Sequence, residues 1–169
     1  GGGGTGDFME LRDSNDAGND DYTFTVSATF GPYFTKDVGA LTIFNDTLEE
    51  IHLLANQDNN DVFVDDTEIG NAITLYGLGG NDKFYVGTTD AAVDGDLDPI
   101  DDELVIWAGA GSDTVTYNDA ADTFDQFGDS YRITDNQVVK VHNLPLSEQE
   151  FDYHEVESLV VDGNSDSNV

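Results

Sequence analysis

Apolar and polar residues along this chain keep a strand period, and no stretch holds the spacing of a helix. The clearest runs are Phe8–Leu11, Tyr22–Val26, Leu41–Phe44, Ile51–Leu54, Val62–Val64 and Ile73–Tyr76. They continue with Phe84–Val86, Leu104–Trp107, Thr114–Tyr117, Tyr131–Thr134, Val138–Val141 and Leu159–Val161. Each is rich in β-branched and aromatic residues and is bounded by Gly, Asn and Asp, the residues of turns. Pro145–Glu150 is the one stretch whose pattern predicts a helical turn.

The runs form units of strand, turn and strand. IHLL-ANQDNND-VFV is one, ITLY-GLGGND-KFYV the next, and LVIW-AGAGSD-TVTY the third. Ile51 to Ile73 is 22 residues and Ile73 to Leu104 is 31, the extra length lying in DAAVDGDLDPIDDE. Units of this size cannot bury a face alone, so the pattern predicts stacking into an all-β solenoid of about six to eight coils, a right-handed parallel β-helix or β-roll. A longer repeat lies above the short one. Asp7, Asp13 and Asp16 match Asp113, Asp119 and Asp122 at an offset of 106, and LEEIHLL matches VESLVV at 108, with Glu49 under Glu157. Residues 1–62 thus correspond to 108–169, and residues 1–169 read as a single solenoid segment holding about one and a half repeats of roughly 107 residues. The glycine-rich start reads as the middle of a turn, so the chain is expected to be cut from a larger array.

Charge narrows the function. The chain has 36 Asp and Glu against 5 Lys and Arg, a net charge of −31. That excludes nucleic acid, which needs a basic footprint, and disfavours an anionic membrane surface. No apolar run is long enough for membrane insertion. Hydrophobic residues make up 38% of the chain, too many for a disordered acidic tail. The absence of cysteine removes disulfides and thiolate metal sites. Two explanations of the charge stand side by side: divalent cations neutralise part of it, or the protein is adapted to high salt.

The turns carry the candidate chemistry. Gly77, Gly80 and Asp82 fit G-x-x-G-x-D, and Gly109, Gly111 and Asp113 fit G-x-G-x-D, each followed after one residue by an apolar side chain. On these residues the chain resembles the haemolysin-type (RTX) calcium-binding repeats, with Leu78 standing where their consensus has a second glycine. The resemblance implies a β-roll whose turn carbonyls and Asp carboxylates bind Ca²⁺, with Asp82 and Asp113 as ligands and Asp61 in the related NQDNND turn. LEEIHLL, LYGLGGNDKFYVG, DELVIWAGAGSDTVTYND and VESLVV also resemble acidic repeats of large bacterial and algal surface proteins. That likeness implies an extracellular, array-like location and no activity. Without an ion, an Asx turn, in which the Asp bonds its own backbone, accounts for each motif. Asp94, Asp96 and Asp98 in DGDLD resemble the start of an EF-hand loop, although the closing glutamate is replaced by Val105, and they form a second calcium candidate.

Catalysis finds little support in the residues. His52, His142 and His154 are scattered, and the basic residues form no cluster. The expectation is therefore not an enzyme. It is a calcium-associated structural segment of an extracellular filament, adhesin or surface-layer protein, associating end to end with neighbouring repeats, with surface glycans as a further candidate partner. The alternatives are a halophilic acidic domain and a carbohydrate-active β-helix. Asn45 begins an N-x-T sequon, and Trp107 reads as a packing residue.

Overall fold

The structure is a computed structural model, and it describes residues 7–13, 17–27, 31–37, 49–67, 72–122, 129–143 and 146–163. The expected run Leu41–Phe44, with Asn45 and Asp16, lies outside them. Among the described residues the chain is all-β. Its strands are β1 (Phe8–Arg12), β2 (Asp21–Ser27), β3 (Gly31–Lys36), β4 (Glu50–Leu54), β5 (Asp61–Val64), β6 (Ala72–Tyr76) and β7 (Lys83–Val86). There follow β8 (Leu104–Trp107), β9 (Thr114–Asn118), β10 (Ser130–Ile133), β11 (Gln137–Asn143), β12 (Leu146–His154) and β13 (Ser158–Asp162).

These strands form two sheets, one in the order β1-β4-β6-β8-β12-β11-β10 and the other β13-β9-β7-β5-β2-β3. Along the middle of both, neighbours pair in parallel, and consecutive strands β4 to β9 alternate between the sheets. The register spacing is that of the sequence units: Ile51 faces Ile73, which faces Leu104, and Val62 faces Phe84, which faces Val115.

The expected solenoid, a right-handed parallel β-helix or β-roll, is corrected by the pairing at the ends of the sheets. There β2 pairs antiparallel with β3, and β10, β11 and β12 pair antiparallel in succession, so both sheets are mixed. The cause is connection length. Three residues separate β2 from β3 and three separate β10 from β11, whereas a parallel crossover needs a dozen or more. A chain with so short a connection has to fold back beside the strand it has just left. The helical turn expected at Pro145–Glu150 is likewise replaced by strand β12, which takes its place between β8 and β11.

The core lies between the sheets and follows the two-residue period. Leu53, Leu75, Ile106 and Tyr153 line one face as register partners, and Val62, Phe84 and Val115 the other. Leu75, Leu104, Ile106 and Val115 are fully buried. Trp107 is half-exposed on the outer face and stacks on His154, its register partner, with ring centroids 3.9 Å apart. Among the described residues no helix is long and apolar enough to cross a membrane.

Candidate functional site

Each turn that carries the chain from the seven-stranded sheet to the six-stranded one ends in an acidic or amide residue, buried at Asp20, Asn60, Asp82 and Asp113 and exposed at Glu157. The parallel register places these residues in one column: Asp20, Asn60, Asp82, Asp113 and Glu157. A single bonding pattern links them. The Asp20 N–H donates to Asn60 Oδ1 at 3.2 Å, the Asn60 N–H to Asp82 Oδ1 at 2.8 Å, the Asp82 N–H to Asp113 Oδ1 at 2.7 Å, and the Asp113 N–H to Glu157 Oε2 at 2.8 Å. The side chain of every residue after Asp20 thus accepts the amide of the column residue before it. The parallel ladder does not satisfy these amides, and the side-chain oxygens of three carboxylates and the Asn60 carboxamide take over that work.

The turn backbone makes the column possible. Gly80 has φ +114°, and a Cβ there would lie 2.2 Å from the Asp58 carbonyl oxygen. Leu78 adopts φ 69°, and its counterpart in the next turn, Gly109, has φ 99°. The residue standing where the repeat consensus has glycine therefore holds a left-handed conformation that usually favours glycine.

Asp82 and Asp113 are 0% exposed, and each uses only Oδ1 in the column. Their Oδ2 atoms are buried without a hydrogen-bond partner. Burial pushes the Asp82 carboxyl from 3.8 up to about 7; hydrogen bonding from Asn60 opposes the shift and the charge of Asp113 adds to it. Burial raises the Asp113 pKa too, against the Asp82 N–H, and the charge of Glu157 adds to the rise. Two buried carboxyls with idle oxygens call for protons or a cation.

A second acidic centre surrounds Lys140 on β11. Its ammonium is fully buried, 2.6 Å from Asp98 Oδ1, 2.9 Å from Asp119 Oδ1, 3.0 Å from Asp129 Oδ2 and 3.3 Å from Asp122 Oδ2. Tyr131 donates its hydroxyl to Asp119 Oδ2, and the Leu97 N–H donates to Asp119 Oδ1. His142 approaches Asp129 at 3.3 Å and Asp98 at 3.6 Å. Burial alone would lower the pKa of Lys140, but hydrogen bonds to Asp119 and Asp98 and the surrounding charge hold it above the lysine range. Burial raises Asp96, whose neighbours Asp98, Asp119 and Asp122 add to the effect while the Asp98 N–H opposes it. Three sets here have ligand atoms close enough to hold one metal ion: Asp98, Asp129 and His142; Asp96, Asp98 and Asp119; and Asp119, Asp122 and Asp129.

The residues singled out in the sequence divide between these places. Asp82 and Asp113 share the column. Asp96 and Asp98 belong to the centre around Lys140. Asp94 is exposed and lines a cavity of about 220 Å³ with Asp65, Asp66 and Thr88, a cavity that Asp96 also borders. Asp61 lies one residue past the column, pairing with Lys83 and Asp21 on the strand, and Asn60 takes the column position. The motif contained that signal: one residue separates Asp82 from Phe84 and Asp113 from Val115, and counting back from Val62 in the same way reaches Asn60. Asp20 carries the same signal, Gly18-Asn19-Asp20 followed after one residue by Tyr22, with Gly18 at φ +133°, whereas Glu157 has no glycine turn to mark it. Lys140 sits inside VVKV, where the pattern shows a strand and nothing of the four carboxylates.

Compared with known protein families, curated proteins and solved structures, the chain gives no significant match.

Proposed function

We propose that the chain is a structural β segment stabilised by calcium, part of a long extracellular filament, adhesin or surface-layer protein. The observation that carries this reading is the pair of fully buried Oδ2 atoms of Asp82 and Asp113, which no protein donor satisfies. The donor chemistry fits the ion. The column offers carboxylate oxygens, with the Ala108 carbonyl in the neighbourhood of Asp82 Oδ2, hard ligands that suit Ca²⁺ and its loose coordination of 6–8 oxygens. Mg²⁺ demands a tight octahedron and holds its waters, so it is the poorer match. A cation there also offsets the repulsion within a chain of net charge −31. Asp82 and Asp113 are the residues assigned to cation binding, and no catalytic role is assigned.

End-to-end association fits the same reading. Among the described residues, strands β1 and β3 form the sheet edges at one end of the sheets, and β10 and β13 those at the other. Free edges template further strand pairing.

The test is thermal melting in chelator, in millimolar Ca²⁺, in Mg²⁺ and in NaCl at matched ionic strength. Calcium is expected to raise Tm most through mass action on the folded state. Asp82→Asn with Asp113→Asn should remove most of its advantage. If NaCl does as well as Ca²⁺, the charge serves salt tolerance and the calcium reading is wrong.

A further inference from the structure

Five hydrogen-bonded or ionic contacts occur twice in this chain, between residues that correspond at offsets of 104 to 109. The Asp7 N–H donates to Glu49 Oε2 at 2.9 Å, and the Asp113 N–H to Glu157 Oε2 at 2.8 Å. The Asp13 N–H donates to the Leu54 carbonyl at 3.0 Å, and the Asp119 N–H to the Asp162 carbonyl at 2.7 Å. Tyr22 donates its hydroxyl to Asp13, and Tyr131 to Asp119. The Lys36 ammonium lies 2.7 Å from Asp13 and 3.3 Å from Asp20; the Lys140 ammonium lies 2.9 Å from Asp119 and 3.0 Å from Asp129. In each hairpin the lysine is the cross-strand partner of the tyrosine: Tyr22 faces Lys36, and Tyr131 faces Lys140. The equivalent strands lie in opposite sheets. β1 and β4 belong to the seven-stranded sheet and their counterparts β9 and β13 to the six-stranded one, while β2 and β3 exchange with β10 and β11 the other way.

We propose that residues 7–54 and 113–162 are one building block used twice with the roles of the sheets exchanged, and that its lysine is a tethered counter-cation. The ammonium, carried in on a hairpin, takes the place of a free cation among converging carboxylates and pins the hairpin to the preceding turn. Chain order explains the geometry. The D-x-Y stretch, Asp20 to Tyr22 or Asp129 to Tyr131, sets one carboxylate beside the hydroxyl that orients the other. A short antiparallel return then delivers the lysine opposite that tyrosine. The second clamp has more acid to neutralise, because loop 94–98 adds Asp98 and the turn after β9 adds Asp122. Its lysine is accordingly fully buried, while the Lys36 side chain is 23% exposed.

The clamp is a different device from the column. The column leaves carboxylate oxygens idle, whereas the clamp brings its own positive charge and needs no free ion. Removing that charge turns the second clamp into a site for an external cation, either a hard divalent ion or a small alkylammonium.

The experiment uses an Asp82→Asn/Asp113→Asn background, so that no ion effect comes from the column and failure of the calcium reading is scored separately. In chelator, Lys140→Ala is expected to lower Tm by about 10 °C, since a buried charge cluster loses its partner. Added Ca²⁺ or ethylammonium should restore at least half of that loss, and NaCl at equal ionic strength should not. Lys140→Met combined with Asp119→Asn and Asp129→Asn should fold without any added cation. Lys36→Ala should lower Tm by a smaller amount, because its clamp is partly solvated. If Lys140→Ala does not fold in chelator, refolding on cation addition supports the proposal, and failure in every cation overturns it. It is also overturned if Lys140→Met alone matches the background, if neutralising the carboxylates brings no recovery, or if Lys36→Ala leaves Tm unchanged.

Discussion

Replacing Asp82 by Asn is expected to stabilise this protein in the absence of metal, and only above acid pH. The folded chain holds the Asp82 carboxyl at a pKa of about 7, against 3.8 for an unperturbed one. Below pH 3.8 folded and unfolded chains both carry the proton, and the residue contributes nothing. Between pH 3.8 and about 7 the unfolded chain has released the proton while the folded chain keeps it, so stability falls as pH rises. Above about 7 the loss is complete and amounts to about 4 kcal/mol, or about 10 °C in Tm for a domain of this size. An amide cannot ionise, so Asp82→Asn escapes the loss. Its Oδ1 still accepts the Asn60 N–H. Its NH₂ takes the place of the idle Oδ2, in the neighbourhood of the Ala108 carbonyl: both oxygens lie within 2.5 Å of where a Cβ on Gly77 would stand. The assay is thermal melting of both proteins in chelator from pH 4 to 8. The two curves should meet near pH 4 and separate to about 10 °C by pH 8, with the variant higher. A constant difference across that range, or a variant less stable at pH 8, would refute the account of the column.

Three further outcomes follow from the same geometry. Asn60→Asp places another carboxylate against Asp82 and removes the Nδ2 donor that now reaches Asp82 Oδ1, Asn56 Oδ1 and the Asp58 carbonyl; in chelator it should cost about 3 kcal/mol by denaturant titration, with a larger share recovered by Ca²⁺ than in the parent. Gly111→Ala would put a Cβ 1.5 Å from the Gly80 carbonyl oxygen, a backbone atom that cannot swing aside, so it should destabilise by about 3 kcal/mol or more in the same titration. Tyr117→Phe removes a buried hydroxyl that has no partner and should leave stability unchanged or raise it by about 1 kcal/mol, readable as a shift in Tm.

The local pattern was sufficient to place most of the strands. The period-two alternation of β-branched and aromatic residues marks β4 to β9 to within a residue, and the 22- and 31-residue spacings are the register of their ladders. It was sufficient, too, for Asp82 and Asp113, because a glycine turn followed by D-x-apolar is a local motif. Direction was not legible. A short connection folds GPYFTK back against the strand before it, but that LSEQEFDYH lies antiparallel to β11 on one side and parallel to β8 on the other is decided by which strands the packing brings beside it. The acidic centre was hidden for a related reason. Lys140 meets Asp98, Asp119, Asp122 and Asp129 across separations of 11 to 42 residues, with no shared motif to announce the meeting. Composition dictated that so acidic a chain must answer its own charge. Only the packing of two sheets, which strips water from some carboxylates and leaves others in solvent, decided which acids need a proton or an ion and which receive a lysine.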